Sequence, residues 1–285
     1  MPDFSVPAEK PAQDAPRRAR PLLTLEVLRR EQLTPHMVRI IAGGPNFESF
    51  TANGCADAYC KIWFGPDGKP LDGTTDLESL RNSFPREEWP VSRTYTVRSV
   101  NPAAGELAID FVVHGDEGLA GPWAAQATAG EALTFSGPGG AFNPDPDAGW
   151  YLFAADESAL PATAAVLEAL PASAVGQAFL EVGGPEDRQP LTAPEGVTVT
   201  WLYRGAVPAG NTGMLASAVA AAPWPSNDVQ VFAHGEREAM KALRDVFFGV
   251  HGLERRQVSL SGYWAAGRTE DAFQAEKKTP VGKIL

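Results

Sequence analysis

The six residues Arg93-Thr94-Tyr95-Thr96-Val97-Arg98 combine β-branched side chains with a cation at each end and one phenol ring. In an extended strand successive side chains alternate faces, so Arg93, Tyr95 and Val97 point one way and Thr94, Thr96 and Arg98 the other. One face therefore offers a guanidinium beside a flat ring. Guanidinium binds phosphate through paired charge-assisted bonds and an aromatic face stacks on a planar heterocycle, so the pair suits a nucleotide-like ligand. The same residues would also serve as an ordinary strand of any β-protein. A second stretch, His114-Gly115-Asp116-Glu117-Gly118-Leu119-Ala120-Gly121-Pro122-Trp123, places three glycines ahead of Pro122, which is expected at the first position of a short helix. The free amides of such a turn can hold a diphosphate. Coupled to Arg93 and Tyr95, the turn points to a flavin dinucleotide.

Two kinds of element must position these residues. From Leu22 to about Phe135 the pattern is of short β segments separated by turn residues: LLTLEVLRR, HMVRIIAGG, AYCKIWF, RTYTVRSV, ELAIDFVVHG and EALTFSG. Six such strands without a long helix predict a small closed antiparallel barrel. A Pro/Gly/charge-rich excursion between Phe64 and Arg93 reads as a surface loop with one short helix at Asp76 to Asn82. The Gly, Pro and Asp of SGPGGAFNPDPDAG mark a boundary. Beyond it, strands that read as apolar runs alternate with helices, which predicts a mostly parallel sheet covered on both faces. The expected organisation is a disordered arm over 1–21, a barrel over 22–147 and an α/β domain over 148–285. Ligands of such a sheet bind beyond the carboxyl ends of its strands, where Asp156-Glu157-Ser158, His234-Gly235-Glu236 and Gly262-Tyr263-Trp264 lie.

Bulk properties narrow the function. The 285 residues are long enough for two domains, with 44% hydrophobic and 21% charged residues and no apolar run of bilayer length. A formal net charge of -11 repels nucleic acid. The first residues lack the apolar segment of a secretory signal, which points to the cytoplasm. Two cysteines, Cys55 and Cys60, are too few for a cluster or a structural zinc and read as reduced thiols; the four histidines lack metal-ligand spacing. Redox chemistry would then come from an organic cofactor. No G-x-G-x-x-G follows the first strand of the α/β half and no phosphate-binding G-x-x-x-x-G-K-[ST] occurs, which disfavours a standard Rossmann dehydrogenase and a P-loop nucleotidase.

Four stretches, RTYTVR at 93–98, FVVHGDEGLAGPWA at 111–124, AADESALPA at 154–162 and GYWAAGRTEDAF at 262–273, resemble in order and spacing the siderophore-interacting protein family. These are FAD-dependent ferric-siderophore reductases of the ferredoxin-reductase-like superfamily. The resemblance implies an FAD-binding barrel, followed by a nicotinamide-nucleotide-binding domain. It implies that Tyr95 lies against the flavin ring, that Arg93 and Arg98 lie near its phosphates and ribityl chain, and that Thr96 bonds near the ring nitrogen that accepts hydride. Thr94 belongs to the same cofactor-binding motif. His114 and Gly115 would border the flavin. Gly118, Ala120 and Trp123 would hold the rest of the dinucleotide through their amides, and Asp156, Glu157 and Ser158 would lie at the NAD(P)H site. Outside that context Trp123 is a core residue and Ser158 a helix cap.

The chain departs from the family in its basic patch for anionic siderophores. Lys61 matches the first expected cation, but Gly139 and Ala265 stand where two arginines are expected. Clefts focus electrostatic fields, so this loss should disfavour strongly anionic ferric catecholates and leave neutral hydroxamate or mixed-ligand siderophores as partners. Arg268 is a candidate replacement. Arg204, Arg237 and Lys241 follow strands of the second domain and could hold a 2'-phosphate, a slight argument for NADPH. Two other readings stand beside the reductase: an NAD(P)H:flavin oxidoreductase with a different acceptor, and a non-catalytic flavin or ferric-siderophore carrier.

Overall fold

The computed structural model describes residues 21–74, 76–115, 118–211, 213–225 and 228–285, so the expected arm lies, except for Pro21, outside the described residues. Strands β1 (Leu22–Thr34), β2 (Met37–Gly43), β3 (Tyr59–Phe64), β4 (Val91–Asn101), β5 (Glu106–Val112) and β6 (Ala132–Gly139) close into a barrel in the order β1-β2-β5-β4-β3-β6. Every neighbouring pair is antiparallel. Alternation builds its interior. In β3, Cys60, Ile62 and Phe64 are buried while Lys61 between them is exposed, and Ile40, Ile109, Phe111, Leu133 and Phe135 meet them in one core. The β4-to-β5 turn ends on Gly105 at φ 67°, a left-handed conformation that side chains with a Cβ adopt at a cost.

The excursion before β4 contains the expected helix, α1 (Leu77–Ser83), capped by Asp76, whose side chain accepts from the amides of Glu78 and Ser79. Helix α2 (Ala120–Gln126) begins two residues earlier than expected. Pro122 is its third residue rather than its first. A proline is tolerated there because the first-turn amides have no intrahelical acceptor.

The second half is a five-stranded sheet in the order β11-β10-β7-β8-β9, parallel throughout. Its strands are β7 (Trp150–Ala155), β8 (Val175–Val182), β9 (Gly196–Tyr203), β10 (Val229–Glu236) and β11 (Val258–Trp264). In β7 every residue after Trp150 is buried, as expected of a strand covered on both faces. Helices α3 (Leu160–Glu168), α4 (Met214–Ala221) and α5 (Arg237–Arg244) cover it. After α5 the backbone changes at Asp245 into a π-helical turn, Asp245–Val250. Helix α6 (Glu270–Glu276) was not expected. Its seven residues bury only Phe273, too little for an apolar period to register.

Among the described residues three side-chain contacts to carboxylates tie the halves together, the barrel supplying a guanidinium in two and an imidazole in the third. His36 meets Asp187 at 2.8 Å, Arg98 meets Glu168 of α3 at 2.5 Å, and Arg93 meets Asp271 of α6 at 3.2 Å. The residues of β4 are thereby held against the second half. No helix among the described residues is long and apolar enough to cross a membrane.

Candidate functional site

Register determines what each residue of β4 can reach. Arg93 stands opposite Ile62 and Tyr95 opposite Cys60, both buried, whereas Thr94 stands opposite the exposed Lys61. Antiparallel partners share a face, so Arg93 and Tyr95 lie on one side and Lys61 and Thr94 on the other. The Tyr95 ring packs on Phe111 with centroids 4.3 Å apart. Burial, above all, pushes its phenol pKa up, so it remains a neutral ring. Thr96 is buried opposite Tyr59.

Both arginines carry carboxylate partners from the other half. Arg98 binds Glu168 through two parallel bonds of 2.8 and 2.5 Å. Arg93 binds Asp271 at 3.2 and 3.3 Å and also donates to the Ser92 carbonyl at 3.0 Å. Asp271 is 67% exposed, so the Arg93 pair is a surface contact that a phosphate can replace.

Two glycines of the 114–123 stretch leave their backbone open. Gly115 and Gly118 take φ of 58° and 83°, and a Cβ at either would meet nothing within 4 Å. Backbone is therefore open to a ligand, which fits a dinucleotide. His114 lies exposed at the head of this turn. Ala120 is buried, and the role expected of Trp123 needs correction. Its amide donates to the Leu119 carbonyl at 3.2 Å and its ring packs between Phe64 and Phe111, with Nε1 bound to Glu131 at 3.0 Å. Trp123 anchors the turn and has no free amide to offer.

At the strand ends of the sheet, Asp156 is a hub. One oxygen accepts from the amide and hydroxyl of Ser158 at 2.9 and 2.5 Å, and the other from the Glu236 amide at 2.7 Å and Trp264 Nε1 at 2.8 Å. The carboxylate thus joins the ends of β7, β10 and β11. Ser158 is engaged there and does not cap α3, whose N-cap is Ala159. Glu236 caps α5 through the amides of Glu238 and Ala239 and accepts from the Ala266 amide at 3.1 Å. Because β7 and β10 lie side by side where the strand order reverses, Asp156 and Glu236 mark the switch point at which open α/β sheets bind nucleotides. Glu157 pairs with Arg204 at 2.5 Å, and burial raises its pKa against that pull.

Comparison with known proteins decides the family. Residues 26–142 match the siderophore-interacting FAD-binding domain and residues 148–267 match the siderophore-interacting protein model. The chain is 45% identical to an uncharacterized protein of Mycobacterium tuberculosis, covering 91% of this chain and 95% of that protein. It is 33% identical to the ferric vibriobactin reductase of Vibrio cholerae, over 89% and 93%. The chain belongs to the siderophore-interacting protein family. Among solved structures, a siderophore utilization protein from T. fusca superposes with a TM-score of 0.76 at 35% identity, covering 87% of this chain and 94% of that one. The match over residues 26–142 makes the barrel the family's FAD-binding domain.

In this family member the candidate cations are mostly committed elsewhere. Arg268 binds Glu276 at 2.7 Å. Arg237 is buried between Glu276 and Glu238, and Lys241 binds Glu238 at 2.9 Å and the Val281 carbonyl at 2.7 Å. With Arg204 held by Glu157, all three cations considered for a 2'-phosphate have protein partners. Lys61 enters none of the ion pairs among the described residues. Sequence reasoning places His234 and Glu236 at the strand ends but misses Tyr59, Glu168 and Asp271, none of which carries a local signal.

Proposed function

We propose that this chain is a cytoplasmic ferric-siderophore reductase that takes electrons from NAD(P)H through FAD to siderophore-bound Fe(III) and releases Fe(II). The observation that carries the reading is that the β4 motif of an FAD-binding barrel is held by ion pairs against the α/β half, whose strand ends form a nucleotide-type switch point.

FAD bound at β4 would supply the conversion of one hydride into two single-electron transfers, so that one NAD(P)H serves two ferric ions. The protein's own part is binding, orientation and electrostatics. Arg93 and Arg98 would take phosphate oxygens, with Thr94 on the same strand, and Tyr95 would lie along the ring. Thr96, buried beside it, would present its hydroxyl to the reacting edge. His114 with Gly115, Gly118 and Ala120 would line the turn that receives the remainder. Asp156, Glu157 and Ser158 would shape the nicotinamide side. Here Asp156 acts by fixing the three strand ends, since its acceptor capacity is already used. Siderophores hold iron with hard oxygen ligands that suit Fe(III) better than Fe(II), so reduction loosens the metal without iron ligands from the protein.

The test is anaerobic reduction of the FAD-loaded protein by NADH or NADPH, followed by ferric siderophores and a ferrous trap. Bleaching of the flavin, recovery of its colour on adding a ferric complex and trapping of Fe(II) are expected. Bleaching without recovery would favour the second reading, an NAD(P)H:flavin oxidoreductase with another acceptor, for which Gly139 and Ala265 are the motive. A flavin that neither coenzyme bleaches would leave a non-catalytic carrier.

A further inference from the structure

The connection that follows β9 takes a constrained path. Arg204 leaves the sheet with its amide donating to the Val182 carbonyl of β8 at 3.1 Å, and the Gly205 amide donates to the Gly183 carbonyl at 2.9 Å. Gly210 already lies on the far side of the crevice, where a Cβ would meet Glu236 Cγ at 2.9 Å, Ala266 Cβ at 3.1 Å and the Trp264 ring at 3.2 Å. Between β9 and β10 stand β8 and β7, so the crossing covers three strand spacings of about 4.8 Å, or about 14 Å. The chain from 204 to 210 reaches at most about 21 Å, so it must run almost directly over the carboxyl ends of β8 and β7. That is the ground of the switch point, where a nucleotide would lie.

Little holds this crossing down. Among the described residues no hydrogen bond joins 206–211 to a strand; the Val207 amide donates to the Arg204 carbonyl and the Asn211 amide to the Pro208 carbonyl, both within the segment. Residues 205–208 are exposed. Two points fix the segment. One is the Arg204 guanidinium, whose Nη1 lies 2.5 Å from Glu157 Oε1, so that a charge contact spans from the end of β9 to the end of β7. The two side chains are only 15% and 12% exposed, which shields the pair from water. The other is Gly210, whose φ of 83° and missing side chain let its backbone settle on Glu236 and Trp264. Gly205 takes a φ of 60° with open space around it, a left-handed pivot directly after the latch.

We propose that residues 204–211 are a strap that closes the nucleotide crevice, latched by Glu157 on Arg204 and seated through Gly210, and that NAD(P)H enters only after the strap lifts. The proposal rests on the reductase reading and adds a gate to its coenzyme site. The coenzyme favours the lifted form because the closed one covers its binding ground. Opening therefore precedes binding and limits its rate at high coenzyme concentration.

Two measurements on the FAD-loaded protein test the strap. The first, amide hydrogen exchange over 204–211, involves no coenzyme. Glu157→Gln keeps the shape of the latch and removes its charge, and the methyl of Gly210→Ala would collide with the seat. Each variant should speed exchange of this segment about fivefold or more while leaving the barrel strands within about twofold of wild type. The second is the stopped-flow change in flavin absorbance on mixing with NAD+ or NADP+, which cannot reduce the flavin. The observed rate should level off with nucleotide concentration in the wild type, and level off about fivefold higher in both variants. Flavin absorbance also shows that each variant is loaded and folded. Unchanged exchange in both variants would overturn the strap, as would a rate that climbs in proportion to nucleotide with one slope for all three proteins. Faster exchange in the variants, with neither nucleotide bound and no bleaching by NADH or NADPH, would sink the reductase reading and leave the strap standing as a cover. Bleaching by NADH or NADPH with exchange and binding rates unaltered by either variant would do the reverse.

Discussion

The two halves of the candidate site satisfy their charges in opposite ways. On the barrel, Arg93 and Arg98 find carboxylates only by reaching into the other half of the molecule. At the sheet, Asp156 and Glu236 are buried and saturated by groups of their own half. Exchangeable charges suit ligand capture, because a phosphate can replace an exposed carboxylate at little net cost. Saturated buried charges suit construction, because no ligand can compete for them without breaking the strand ends apart. The charged residues of the two halves therefore divide into some open to exchange and some that hold the strand ends in shape.

The largest effect should follow from Asp156→Ala. It leaves the Glu236 amide and the Trp264 indole N-H, both pinned at the switch point, without their acceptor. A loss of about 3 kcal/mol or more is expected, read as a drop in the unfolding temperature of the ligand-free protein. A loss below about 1 kcal/mol would remove the distinction between the halves. Next in size is a pH effect from His234, whose pKa burial lowers to about 3. The folded protein keeps this imidazole neutral while the unfolded chain protonates it near pH 6.5. Its contribution is thus complete above about pH 6.5 and is lost as pH falls toward 3, at up to about 1.4 kcal/mol per pH unit. Urea titrations at falling pH should show a shallower slope for His234→Gln than for wild type. Parallel slopes would mean that the unfolded chain does not take up that extra proton.

Much of this architecture was readable before any coordinates. The alternation of YCKIWF gives the buried and exposed faces of β3 directly, and the apolar run of YLFAA gives a strand covered on both sides. The motif at 93–98 emerged as one strand for the same reason. What the chain concealed depends on register and on distance. Tyr59 carries no motif, and pairing alone sets it over Gly139 and against Thr96. Asp271 lies 178 residues from the arginine that it binds, on a helix too short to show a period. The Trp123 amide shows a related limit. A motif names the residue, but only the hydrogen-bond inventory shows whether its donor is already spent.

The barrel half should behave in the opposite manner to the sheet. Arg93→Ala should leave the ligand-free unfolding temperature almost unchanged, since an ion pair to an exposed partner is worth about 0 to 1 kcal/mol. It should nevertheless weaken FAD binding about tenfold in a fluorescence titration, the cost of one charge-assisted contact to phosphate. Instability comparable to that of Asp156→Ala would place Arg93 among the structural charges.

Asp271→Asn gives the smallest effect and the sharpest comparison. If the carboxylate merely holds the domains together, removing it should loosen the junction and weaken FAD binding slightly. If it holds the place of a phosphate, its removal takes away a competitor for the Arg93 guanidinium. FAD should then bind about two- to threefold more tightly, with a corresponding gain well under 1 kcal/mol. The sign decides between the two, and the effect should shrink as salt is raised, because the competitor is an exposed charge screened by solvent.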